Sequence, residues 1–107
     1  MSYFPIELDR IRTFKYGMRA IDLIEKKFKK PIMKIEGIQD GNLSMNEYSV
    51  VIWAGLVHEE RGLTPDKVMD LIDEYSSIGK VSLEMWKAFN AAFKNDVEVE
   101  EVEGKNE

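Results

Sequence analysis

Ser44-Met45-Asn46-Glu47-Tyr48-Ser49-Val50-Val51-Ile52-Trp53-Ala54-Gly55-Leu56-Val57 is the stretch that decides the fold. Ser44 with Glu47 three residues on is a capping box, in which the serine oxygen takes the Glu47 amide and the glutamate reaches back to the Ser44 amide. Behind it, residues 50–57 are apolar on every side. A helix without a polar face must be surrounded by protein, so this one belongs at the centre of the molecule. Gly55 costs roughly 1 kcal/mol against alanine in mid-helix, which is explained if it lets a neighbouring helix approach closely. The apolar run is the longest in the chain, yet it extends only about 12 Å as helix. That is too short to cross a bilayer.

Downstream, Gly62 supplies a left-handed stop, and Thr64-Pro65-Asp66 restarts a helix with an N-cap, a proline at the first position and an acid in the first turn. This third helix is expected to bury Val68, Leu71, Ile72 and Tyr75. Gly79 then breaks the chain, and Ser82 caps a fourth helix whose core face is Met85, Trp86, Phe89 and Phe93, with Ala88 and Ala92 alongside. Upstream, Ala20, Ile21, Ile24 and Phe28, with Leu23 beside them, make one amphipathic helical face. Pro31 ends that helix. Residues 32–41 are a connector closed by the turn Asp40-Gly41.

Before it, Phe4, Ile6 and Leu8 alternate with Pro5 and Glu7 as in a half-buried strand. A two-residue turn at Asp9-Arg10 would return the chain through residues 11–16 and set Glu7 opposite Arg12 as a cross-strand ion pair. Asp-Arg is not a favoured pair for such a turn, and an early helix over the same residues is the alternative. The expected architecture is mainly α: one compact four-helix domain over residues 1–95, with helices at about 17–29, 44–58, 64–76 and 82–94. A short N-terminal hairpin falls within residues 3–16, and a disordered acidic tail occupies 96–107.

The net charge of −5 is carried by that tail, where six carboxylates face only Lys105. Residues 1–95 hold 14 acidic and 14 basic side chains and are neutral. A neutral body offers no basic field to a phosphate backbone, which argues against nucleic acid as a partner. The local cluster Lys26, Lys27, Lys29, Lys30 is accounted for by the preference of cations for a helix C-terminus. The alternating acids and valines of the tail read as solvated chain; a strand pairing only with a partner is the alternative, because Val97 and Val99 would share a face.

With no cysteine, a disulfide framework, an iron–sulfur cluster and a thiolate zinc site are excluded. The N-terminus lacks a basic stretch followed by an apolar run, so no secretory signal is expected and the reading is cytosolic. His58 is the one histidine; without other strong ligands nearby it is expected to make a structural contact at a helix end. No nucleophile elbow, P-loop or HExxH pattern occurs. Asp70, Asp73 and Glu74 fall on a polar helix face, where carboxylates are not tuned for acid–base work. The expectation is a protein without enzymatic activity, cofactor or metal.

One metal pattern competes. Residues 36–47 have glycine sixth, Ser44 ninth and Glu47 twelfth, the skeleton of an EF-hand calcium loop, and a second copy follows with Gly79 sixth and Ser82 ninth. The ligands are poor: Ile38 is third in the first copy, while Ile78 is fifth and Met85 twelfth in the second. A degenerate EF-hand-like module, or a generic helical adaptor, is therefore the second reading.

Taken in order, the segments resemble a phage tail assembly chaperone of the long-tailed, non-contractile (siphovirus or prophage) type. Phe14-Lys15-Tyr16-Gly17-Met18-Arg19-Ala20, Val51-Ile52-Trp53-Ala54-Gly55-Leu56, Leu63-Thr64-Pro65-Asp66-Lys67-Val68 and Leu71-Ile72-Asp73 carry the likeness. It spans about residues 4–93, and its weight lies in their order and spacing. The resemblance implies a non-enzymatic factor of the host-cell cytoplasm that binds the tape measure and tail tube proteins and is absent from the finished virion. Some members are also made as a longer frameshifted product. It implies neither nucleic acid nor membrane as partner and leaves self-association open. Trp53, Trp86, Phe89 and Phe93 are the candidate protein-binding residues, because tryptophan is enriched at binding hot spots; core packing of both tryptophans is the competing expectation.

Overall fold

The computed structural model describes the backbone of residues 4–105 and the side chains of residues 4–93. It is mainly α. Strands β1 (Pro5–Glu7) and β2 (Ile11–Thr13) form an antiparallel hairpin, followed by α1 (Met18–Phe28), α2 (Met45–Leu56), α3 (Pro65–Tyr75) and α4 (Ile78–Lys105). Two 3₁₀ turns, Ile32–Lys34 and Val57–Glu59, lie in the connections after α1 and α2.

α2 begins as the capping box demands. Ser44 Oγ accepts from Glu47 N–H at 3.1 Å, and Glu47 Oε1 accepts from Ser44 N–H at 2.8 Å. Its apolar circumference is enclosed: Val50, Val51, Ile52, Ala54, Gly55 and Leu56 are all buried. Helices α1, α3 and α4 and strand β2 pack around it. Each side chain wholly removed from water here, such as Val51, Ile52, Leu56 and Met85, contributes about 1.5–3 kcal/mol. What approaches Gly55 is not a helix, as expected, but the chain leaving β2. A Cβ there would stand 2.5 Å from Tyr16 Cζ and 2.9 Å from Phe14 Cδ1. Lys15 N–H donates to Gly55 O at 2.9 Å, and the Tyr16 hydroxyl to Val51 O at 2.7 Å.

The hairpin is present, in a different register. Ile6 lies opposite Arg12 and Glu7 opposite Ile11, with a three-residue turn at Leu8, Asp9 and Arg10. The expected Glu7–Arg12 pair is therefore wrong. Strand side chains alternate between faces, so Arg12 shares the inward face of Phe14 and Tyr16 and is itself buried. Asp9 takes it in a two-pronged ion pair, Nε to Oδ1 and Nη2 to Oδ2, both at 2.9 Å. Arg12 Nη1 lies 3.0 Å from Glu60 Oε1, near enough for charge attraction but off the alignment of a hydrogen bond.

α1 and α3 end within a residue or two of expectation. Thr64 Oγ1 caps α3 by accepting from Lys67 N–H at 3.2 Å. Tyr75, expected in the core, is exposed at the last turn of α3, whereas Val68 and Ile72 are buried. The largest boundary correction concerns α4, which starts at Ile78 rather than Ser82. Ser77 Oγ accepts from Lys80 N–H at 3.3 Å, and Ser82 lies one turn inside, donating to Gly79 O. Gly79 interrupts nothing. Starting the helix early puts Val81 on the same face as Met85, and both are fully buried. The α4 backbone continues through Lys105 with no break near 95; no proline or glycine occurs between residues 80 and 103. The acidic side chains expected to form the tail lie outside the described residues.

The connector does more than join helices. Ile32, Ile35 and Ile38 recur every third residue and are buried with Leu43. Glu25 Oε2 accepts from Ile32 N–H at 2.8 Å, tying the segment back to α1 across Pro31. Gly37 has φ +92°, and a Cβ there would come within 2.6 Å of Asn42 O. The closing turn has Gly41 at φ +76° with Asp40 Oδ1 accepting from Asn42 N–H.

Candidate functional site

Of the four residues nominated for binding, the structure brings three together. Trp86, Phe89 and Phe93 follow one another along α4, with ring centroids 5.6 Å apart for the first pair and 5.1 Å for the second. Tyr48 stands edge-on to Trp86 at 6.1 Å, and Tyr16 edge-on to Phe89 at 5.4 Å. Offset and edge-on geometries of this kind add about 0.5–1.5 kcal/mol per pair beyond burial. Trp86 is half-buried, and its Nε1–H donates to the Tyr48 hydroxyl, which donates in turn to Gly41 O. Phe89 is buried, so it supports the surface without belonging to it.

Phe93, expected on the core face, is 37% exposed, and Ala92 is exposed beside it. Trp53 lies elsewhere. Its Nε1–H donates to Leu63 O at 2.7 Å, and the Lys27 ammonium stands 5.6 Å from its ring centroid. Both tryptophans thus have satisfied N–H groups and partly buried rings, which favours their packing role over that of free anchors.

Phe93 opens into a groove of about 850 Å³ between α4 and the start of α1, lined also by Tyr16, Gly17, Met18, Ile21 and Ala92. Arg19, Asp22 and Glu25 complete its walls. Met18 is 92% exposed, more than any other large apolar side chain among the described residues. Met18, Ile21, Asp22 and Glu25 fall at i, i+3, i+4 and i+7, one stripe along α1. Both acids are already engaged, Asp22 with Lys26 at 3.2 Å and Glu25 with the Ile32 amide. The groove floor is apolar and both acids are engaged, while Arg19 has no ion-pair partner among the described residues. Sequence reasoning missed Met18 because it lies off the face defined by Ala20 and Ile24. The signal was there: an apolar residue at the first helical position, three before Ile21.

Among the described residues, no histidine lines the groove. His58 Nε2–H donates to Thr13 O at 2.8 Å, the structural contact expected of it. The Tyr16 hydroxyl is held protonated by burial, which pushes its pKa well above 10. Asp9 is pulled below the usual carboxylate range, first by its hydrogen bond from Arg12. The same bond raises Arg12 further.

The second copy of the calcium-loop pattern, residues 74–85, is not a loop, because it is helical from Ile78 onward. In the first copy Ile38, at the third ligand position, is buried in the core. Among the described residues no three His, Asp or Glu side chains are grouped to hold a metal ion, and no helix is long and apolar enough to cross a membrane. No protein-family model matches this chain, nor does any curated protein or solved structure.

Proposed function

We propose that the protein is a non-enzymatic tail assembly chaperone of a long-tailed phage or prophage, holding an amphipathic helix of the tape measure protein in the groove between α1 and α4. It would act in the host cytoplasm, also contacting the tail tube protein, and leave before the virion is complete. The observation that carries this reading is the apolar floor formed by the exposed Met18, Ala92 and Phe93 beside the partly buried Ile21. Exposed apolar side chains that lie together as a contiguous patch mark sites where another polypeptide docks. An amphipathic helix presents anchors at i, i+3, i+4 and i+7 to such a groove. Residues 16–19, within the stretch that carries part of the resemblance, build one wall. Covering Met18 alone would contribute about 1.5–3 kcal/mol to binding.

The test is co-purification of the full chain with the long helical protein encoded beside it. Met18→Glu and Phe93→Glu are expected to abolish capture while leaving the thermal unfolding midpoint within a few degrees. Removal of residues 96–107 is expected to leave capture intact. Capture that survives both groove substitutions, or is lost with the truncation alone, refutes this assignment.

A further inference from the structure

The hairpin has two outer edges, and the protein treats them differently. Phe14 N–H donates to Phe4 O, and Leu8 N–H to Arg10 O, at 3.0 Å each. Residues 4, 6 and 8 therefore turn their backbone groups toward 14, 12 and 10, while Pro5, Glu7, Ile11 and Thr13 turn theirs outward. On β2 the outward groups of Thr13 are closed off by the turn after α2. Glu59 Oε2 accepts from Thr13 N–H at 3.1 Å, and His58 Nε2–H donates to Thr13 O. On β1 the outward Pro5 O, Glu7 N–H and Glu7 O have no such partner among the described residues, and on β2 only Ile11 at the turn end shares that condition.

That open edge borders a groove of about 300 Å³ whose other wall is the end of α3 and the start of α4. Tyr75, Lys80 and Leu83 line it, and no β2 residue does. Tyr75 is 49% and Leu83 59% exposed. An apolar shelf thus runs beside unpaired backbone polar groups.

We propose that this edge joins two copies of the chain, β1 pairing antiparallel with β1 of a second copy across a two-fold axis to make one four-stranded sheet. An unpaired strand edge is a template for another strand, and an antiparallel edge can pair with itself through the same patch on both copies. Proline narrows the choice of register. Glu7 opposite Glu7 would oppose two carboxylates directly, which is destabilising. Pro5 opposite Glu7 avoids that and gives each Glu7 N–H the Pro5 carbonyl of the other copy, while each Glu7 carbonyl faces a proline nitrogen that has no hydrogen to donate. Charge agrees with this register. Lys80, which has no ion-pair partner among the described residues, lines the groove with the chain's own Glu7 and with Glu84, which is engaged by Lys87; the second copy brings its Glu7 to that lysine. The shelf of Tyr75 and Leu83 is then covered by its own counterpart. This pairing stands apart from the α1–α4 groove and does not depend on what that groove holds.

Sedimentation equilibrium of the full chain, up to about 200 µM, is expected to show a concentration-dependent dimer with a micromolar dissociation constant, as for small interfaces. Its mass should be twice the 12.4 kDa of the chain. Glu7→Pro removes the outward donor, and Leu83→Glu charges the shelf; each is expected to weaken association about tenfold or more. Leu83→Glu should leave the melting of dilute protein unchanged, since the side chain is exposed. Glu7→Lys and Lys80→Glu should each weaken the dimer singly and restore it together. A chain that stays monomeric throughout the range overturns the proposal, as does a dimer indifferent to both Leu83→Glu and the charge swaps. A monomer whose Leu83→Glu variant no longer captures the tape measure protein would assign the groove to that client instead, and would equally overturn it.

Discussion

Replacing Gly55 with alanine tests the packing at the centre of the molecule. Considered as an isolated helix, α2 should gain about 1 kcal/mol from the change. The surroundings oppose it. The new methyl would stand 2.5 Å from Tyr16 Cζ, 2.7 Å from its hydroxyl and 2.9 Å from Phe14 Cδ1. Neither ring has room to retreat, since Phe14 is 4% and Tyr16 8% exposed. The rings also stack on one another at 5.8 Å, and the Tyr16 hydroxyl is committed to Val51 O. Overpacking a tight core costs about 1–3 kcal/mol, and stranding the hydroxyl adds roughly 1–3 kcal/mol. After the helical gain, the net loss is about 1–5 kcal/mol, and at roughly 4 °C per kcal/mol the melting midpoint should fall by about 4–20 °C. Urea denaturation followed by circular dichroism would measure it. The same substitution in a Tyr16→Leu background, where the ring is gone, should cost far less, giving a clear interaction in the double-mutant cycle. An alanine variant as stable as the parent, or additive effects in the cycle, would refute the claim that Gly55 exists for this contact.

Raising the pH should unfold the protein through Tyr16. Its folded pKa lies well above the ordinary 10 because of burial, so the folded state holds the proton more tightly than the unfolded one. Stability is then fully present below about pH 10 and falls as the pH rises beyond it; Tyr16→Phe should flatten that fall, as seen in denaturant midpoints taken between neutral and alkaline pH. Around Arg12 the effects should be asymmetric. Arg12→Leu removes a buried charge whose partners are partly solvent-exposed, and its stability change should stay within about 1 kcal/mol. Asp9→Ala combined with Glu60→Ala, which leaves that charge buried without a partner, should cost about 3–5 kcal/mol by urea denaturation. Lys29 closes α1 in the left-handed region at φ 60°, so Lys29→Gly should stabilise the protein by about 1 kcal/mol. A destabilised glycine variant in thermal melts would contradict that conformation.

Much of the architecture was legible because it rests on local chemistry. The capping box at Ser44 and Glu47, the Thr64-Pro65-Asp66 start and the stop before Pro31 depend on groups within one helical turn of each other, and each stands where the residues indicate. The start of α4 was less legible, because Ser77 and Ser82 are both competent caps and Gly79 looks like a breaker. The decision falls to the distant packing of Val81, which requires the helix to reach back one more turn. The hairpin register followed the same logic. Once Phe14 and Tyr16 turn inward, alternation carries Arg12 in with them. That signal was present, but the expected two-residue turn at Asp9-Arg10 shifted the register by one residue.

For the candidate site, the aromatic series on α4 could be found by helical spacing, yet spacing alone could not say which rings remain at the surface. Phe89 and Phe93 are both one turn from a neighbouring aromatic. Only the placement of α1 against α4 buries the first, leaves the second open and sets Met18 beside it. The chain by itself determined where α1, α2 and α3 begin and end, that α2 must be enclosed, and that the body is electrically neutral, since these depend on neighbours in sequence and on composition. Which faces are left uncovered, and that a glycine in α2 answers to two rings beyond β2, was decided by tertiary packing. Such contacts join residues dozens of positions apart, and no local periodicity records them.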